Sequence, residues 1–139
     1  MEITVKHVQG MHFQGTGSTG KIIEVDRPVD AGGDGTGAGP MELVLMAVAG
    51  CSGIDIVDIL RKMRVSHSRF EMFVTGQRAD DHPRVFTGVH IVYRFWGRKL
   101  PLNKLERAVS LSLSKYCSVA NMVNKTAELT YAVEVAEEE

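Results

Sequence analysis

The residues best able to do covalent chemistry in this chain are its two cysteines. Cys51 stands in "GPMELVLMAVAGCSGIDIVDILRKM" (39–63) and Cys117 in "SLSKYCSVANM". They are 66 positions apart, so neither a redox C-x-x-C nor a zinc-ribbon spacing is present. Two thiols that meet in space can still run a redox cycle. One is oxidised to a sulfenic acid and the other condenses with it to a disulfide. Free cysteine is also among the most buried residue types, so packing alone accounts for either one taken singly.

Two local features, one at each cysteine, favour chemistry over packing. Gly50 and Gly53 flank Cys51 inside a helical pattern, and each glycine there costs about 1 kcal/mol relative to alanine. Such a cost is tolerated where a backbone or a small reactant must come close. A reactive thiol must ionise, which takes a nearby cation or a helix N-terminus. Cys51 lies far from the start of its helix, so it needs a cation from elsewhere. Arg27, Lys21 and Lys115 are the candidates. Glu42 precedes Cys51 by nine residues, about two and a half helical turns, so it faces away from the sulfur and could instead position a cation. Cys117 sits among small and polar residues at the end of a second helical pattern.

The elements that must carry these side chains follow from the hydrophobic periods. Residues 3–8 and "KIIEVD" (21–26) read as strands, paired as a hairpin across "GTGSTG". "DAGGDGTGAGP" (30–40) holds five glycines and reads as a loop. Pro40 suits a first helical position and Glu42 the positive end of a helix dipole; Arg61, Lys62 and Arg64 suit the other end. The 40–63 helix is thus expected to be about 36 Å long. "SRFEMFVTGQ" and "RVFTGVHIVYRFW" read as two more strands, the second with Val85, Thr87, Val89, Ile91, Tyr93 and Phe95 on one face. "LPLNKLERAVSLSLSKYC" reads as a helix with a Leu102, Leu105, Val109, Leu113, Tyr116 stripe, and "SVANMVNK" as its continuation or a short third helix. "AELTYAVEV" closes as a strand, with Leu129, Tyr131, Val133 and Val135 facing one way. The order β-β-α-β-β-α-β predicts an α+β fold with a largely antiparallel sheet, built as a single domain over residues 1–139.

No residue from Leu43 to Gly53 is charged, so the first half of the long helix is apolar all round and must be covered on every side. A domain of this size has a radius of gyration of only about 14 Å. A second subunit is the expected cover, which predicts a homodimer.

Composition excludes several classes. Sixteen Lys and Arg against 17 Asp and Glu give a net charge of −1, with no basic patch for nucleic acid. The acidic Glu137–Glu139 reads as a solvated end. Asp55 and Asp58 interrupt the longest apolar segment, and "MEITVKHVQG" has no signal-peptide pattern, so no membrane partner and a cytoplasmic location are expected. In that compartment the cysteines are expected as thiols. "GTGSTGK" (15–21) matches phosphate-loop patterns, but "KIIEV" follows it where a helix must begin. It is read as a hairpin turn that binds no nucleotide. His7, His12, His67, His82 and His90 lack metal-site spacing, so neither a metal nor another cofactor is expected. The seven methionines read as core packing.

"GAGPMELVLMAVAGC" resembles the signature of the OsmC/Ohr family: a Gly-rich loop, a proline, an acidic residue, leucine, an apolar helix, then cysteine. "SLSKYCSVANMV" is similar to that family's second cysteine segment. The order of elements extends the resemblance over nearly the whole chain. It implies an intertwined homodimer with two sites at the subunit interface. In each, Cys51 would be the peroxidatic and Cys117 the resolving cysteine, reducing organic hydroperoxides at the expense of an external thiol or dithiol. It also implies a supporting arginine and glutamate, for which Arg27 and Glu42 stand nearest. Here Met41 separates Pro40 from Glu42, whereas the family's glutamate follows the proline directly. Arg27 is offset by several residues from the family's arginine.

Two functions follow as expectations. One is a thiol peroxidase of oxidative-stress defence. The other is a non-catalytic, stress-associated or small-ligand-binding dimer whose cysteines are structural.

Overall fold

A computed structural model describes residues 1–137, so Glu138 and Glu139 of the acidic end lie outside the described residues. The chain forms two compact units, Met1–Val44 and Leu45–Glu139.

The first unit is a three-stranded antiparallel sheet in the order β1-β2-β3: β1 (Thr4–Gln9), β2 (His12–Thr16) and β3 (Ile22–Val25). The hydrophobic pattern gives no signal for β2 and predicts a hairpin of the outer two strands. In the structure each of them pairs with β2 instead. Gly10, at φ 52°, allows the tight first turn that short apolar runs did not reveal. "GTGSTG" does lie at a hairpin turn, between β2 and β3, closed by Gly20 N–H donating to the Gly17 carbonyl at 3.2 Å. One face of this sheet carries Val5, Phe13 and Ile23, all exposed.

The Gly-rich loop folds back on β3. Asp26 is 1% exposed, and its carboxylate organises the loop. It accepts the N–H groups of Arg27, Asp34 and Thr36 and the Thr36 hydroxyl, the last at 2.6 Å. A Cβ at Gly33 would stand 2.1 Å from the Arg27 carbonyl oxygen, so only glycine permits that approach.

Helix α1 (Pro40–Lys62) starts at the predicted proline. Glu42 reaches back to accept the Gly39 N–H at 3.0 Å, half of a capping box. The helix ends with Arg64 at φ 59°, where Arg64 N–H donates to the Arg61 carbonyl and Val65 N–H to that of Leu60. This is the Schellman arrangement, with arginine where glycine is usual. By length and hydropathy α1 could cross a membrane. Its Val48, Ser52, Ile56 and Leu60, spaced by four, are buried inside the protein.

The second unit holds a sheet in the order β4-β5-β6: β4 (Arg69–Arg78), β5 (Phe86–Gly97) and β6 (Glu128–Glu137). β4 and β5 are antiparallel, but β5 and β6 are parallel. A parallel neighbour needs a long crossover, and residues 98–127 supply it. Val89, Ile91, Tyr93 and Phe95 fill the core as their alternation predicts. The expectation fails at the start of β5. A register shift at Gln77/Arg78 breaks the alternation, so Phe86 is buried while Val85 is exposed.

The crossover contains α2 (Leu102–Leu111), a π-helical turn over Ser112–Tyr116, and α3 (Ser118–Val123). Leu105 and Val109 are buried as predicted, but Leu102 and Tyr116 are exposed. The wider π turn changes the phase of the stripe. It brings Ser112 and Cys117 inward in place of Tyr116.

Candidate functional site

The π turn meets the middle of α1 at the two cysteines. The sulfurs of Cys51 and Cys117 and a carboxylate oxygen of Asp55 all lie within 4.8 Å of one another. Cys51 is partly exposed, whereas Cys117 is fully buried. Both are free thiols.

Each side chain has a local reason for its place. Gly53, beside Cys51, lets Met72 of β4 approach, since a Cβ there would stand 2.9 Å from the methionine Cε. The Gly53 cost therefore serves packing of α1 on the sheet. Gly50 is exposed, and a Cβ there would meet nothing within 4 Å, so it leaves open space on α1 next to Cys51. Cys117 is held through its backbone, which donates to the Ser112 carbonyl at 2.7 Å to close the π turn. Its sulfur caps α3 by accepting the Ala120 N–H at 3.3 Å. Burial pushes the Cys117 thiol up to about 11; the Ala120 N–H opposes this, while Cys51 and Asp55 add to it.

Sequence reasoning missed the polar residues around the pair. Ser112, buried on the crossover, donates to Asp55 Oδ2 at 3.1 Å and lies 3.3 Å from the Ser52 carbonyl oxygen. Ser52 Oγ donates to the Ala49 carbonyl at 3.1 Å and lies 2.8 Å from the Tyr93 hydroxyl. Burial pushes the Tyr93 phenol up to about 12, against the opposing Ser52 hydrogen bond, so it stays protonated. These bonds pin α1 to β5 and to the crossover just after Cys51. The i, i+4 spacing of Cys51 and Asp55 was the available signal, since it puts both on one helix face. Ser112 and Tyr93 gave none, because they arrive from distant segments.

Glu42 and Arg27 belong to the first unit. Glu42 is used as a helix cap. Arg27 is exposed, and its N–H and carbonyl serve the Asp26 loop.

A paired-thiol protein on an α+β frame is what this fold and site define. The chain belongs to the family of OsmC-like proteins, whose family model matches residues 33–132. It is 41% identical over 136 residues to Protein YhfA of Escherichia coli (strain K12), covering 97% of this chain and 98% of that protein. Among solved structures it is similar to a hypothetical protein from Aquifex aeolicus VF5, with a TM-score of 0.87 and 34% identity over 99% of this chain and 97% of the other. The organic hydroperoxide resistance protein OhrB of Bacillus subtilis shares the fold at a TM-score of 0.68 and 16% identity, covering 95% of this chain and 96% of that one.

Proposed function

We propose that this OsmC-like protein is a thiol peroxidase that reduces organic hydroperoxides. The observation that carries this reading is the approach of two thiols from distant segments to within 4.8 Å. Cys51, the more accessible, attacks the O–O bond as thiolate. The alcohol leaves, taking up a proton, and Cys51 becomes a sulfenic acid. The buried Cys117 thiol attacks that sulfur, releasing water and forming a disulfide. An external dithiol returns both to thiols by exchange. The high pKa of Cys117 suits a group that must wait in reserve. The hydroperoxide resistance named for the Bacillus relative supports the same substrate class.

A homodimer fits this reading. Met46, Ile54 and Val57 of α1 are exposed, as is the apolar face of the first unit's sheet, and patches of this kind mark interaction surfaces. A reducing cytoplasm suits a pair kept as thiols.

One observation favours the second reading, a non-catalytic dimer with structural cysteines. The Asp55 carboxylate near the sulfurs opposes thiolate formation at Cys117. Site variants separate the two. Under the peroxidase reading Cys51→Ser abolishes turnover of cumene hydroperoxide with a dithiol. Cys117→Ser permits one oxidation and leaves a sulfenic acid that dimedone traps on Cys51. Survival of both wild-type thiols in stoichiometric hydroperoxide would instead establish the structural role.

A further inference from the structure

We infer that Cys51, Asp55 and Cys117 form a binding site for a thiophilic divalent cation of the Zn2+ class. Their three donor atoms lie within 4.8 Å of one another. A tetrahedral zinc, with bonds of about 2.3 Å to sulfur and about 2.0 Å to oxygen, sets its donors roughly 3.4–3.8 Å apart. Side-chain rotations that draw the donors in by about an ångström complete the set. Two thiolates and one carboxylate satisfy the ligand preferences of zinc, and the fourth position is left for water or a small thiol.

Three further features match a metal site. The supporting hydrogen bonds are in place: Ser112 Oγ orients the Asp55 carboxylate, and the Ala120 N–H points at the Cys117 sulfur. The site is open to solvent at the partly exposed Cys51, and Asp55 borders an open cleft of about 400 Å³ together with Asp58, Lys62 and Arg107. The charge balance asks for a cation as well. Among the described residues Asp55 takes part in no ion pair, although it lies beside two ionisable sulfurs. The ion displaces one proton from each thiol, and the site's three negative charges are then largely neutralised. A separation of 66 positions conceals this ligand set from any spacing rule.

The inference does not rest on the peroxidase reading, since it needs only reduced thiols and no peroxide. A metal-loaded pair would be shielded from oxidation, and a disulfide would exclude the metal.

Titration of the reduced full chain with Co2+, followed by Zn2+ competition, tests it. One Co2+ per chain should bind with a thiolate-to-cobalt charge-transfer band in the near ultraviolet, and Zn2+ should bleach the band. Asp55→Asn should keep the band and weaken binding about tenfold or more. Asp58→Asn, in the same cleft but already ion-paired with Arg61 and Lys62, should bind as wild type does. Wild-type protein oxidised to the disulfide should bind none, a control that needs no variant to fold. Absence of a charge-transfer band in the reduced wild type overturns the proposal. So does equal Co2+ affinity in wild type and a folded Asp55→Asn.

Discussion

Ser112 donates its hydroxyl hydrogen to Asp55 at 3.1 Å, and so fixes a carboxylate one helical turn beyond Cys51. The bond joins the crossover to α1 at the point where the two thiols meet. A negative charge is thereby held against a thiol that burial already keeps protonated. Cys117 is thus held as a thiol well above neutral pH.

Alkylation against pH measures this effect. Reaction of Cys117 with iodoacetamide, resolved by mass spectrometry, should stay slow at pH 8 and rise toward a midpoint near the value of about 11 set by its burial. The linkage has a definite sign. A thiol pKa raised by folding contributes stability below the ordinary value of about 9. That contribution is lost as pH rises from about 9 toward 11. Rapid labelling of Cys117 at pH 7 in the folded chain would contradict the burial argument.

Asp26 makes the opposite prediction at acid pH. The Thr36 hydroxyl first, and then the N–H groups of Arg27, Thr36 and Asp34, hold its carboxyl at about 2, against an ordinary 3.8. A depressed carboxyl pKa stabilises the fold above the ordinary value, and the benefit is lost as pH falls from about 4 toward 2. Asp26→Asn should therefore be less stable than wild type at pH 6, with the gap closing by pH 2. Urea melts across that range check it; a gap that does not vary with pH would show that charge plays no part.

Arg64 offers a stabilising change. It occupies the left-handed position of the Schellman turn at φ 59°, where a side chain costs energy that glycine does not. Arg64→Gly should raise unfolding stability by about 0.5–1 kcal/mol, net of the added chain freedom in the unfolded state. Denaturant midpoints measure it, and a clear loss of stability would mean that the Arg64 side chain makes contacts worth more than the strain.

The exposed apolar residues of α1 lead to a prediction about assembly. Ile54 is 74% exposed and Met46 56%, on a helix whose opposite face is core. Sedimentation at micromolar concentration should give a dimer, and Ile54→Lys should weaken it. A folded wild-type monomer under those conditions would rule the dimer out.

Much of the fold was legible in the sequence because period and punctuation are local properties. Pro40 and Glu42 marked the start of α1 within its own first turn, and the odd-numbered residues from Val89 to Phe95 marked a core face without reference to any partner. The two cysteine segments were legible as well, through a resemblance that the family match then established. β2 was not, since "HFQGT" is short, carries a glycine and shows no clean alternation.

What only the tertiary structure decided is which distant groups meet. Strand direction depends on the crossover between β5 and β6, and a parallel strand reads the same as an antiparallel one. The π turn before Cys117 moved the helix stripe by a fraction of a turn, enough to bury a thiol and a serine and expose a tyrosine. Local propensity does not encode that shift; packing of the crossover against α1 selects it. The sequence alone determined that two thiols exist and that one rides a long apolar helix. Their approach, the aspartate beside them and the serine that holds it arise from contacts spanning about sixty residues, and such contacts form only once hydrophobic burial has offset the entropy of closing so long a loop.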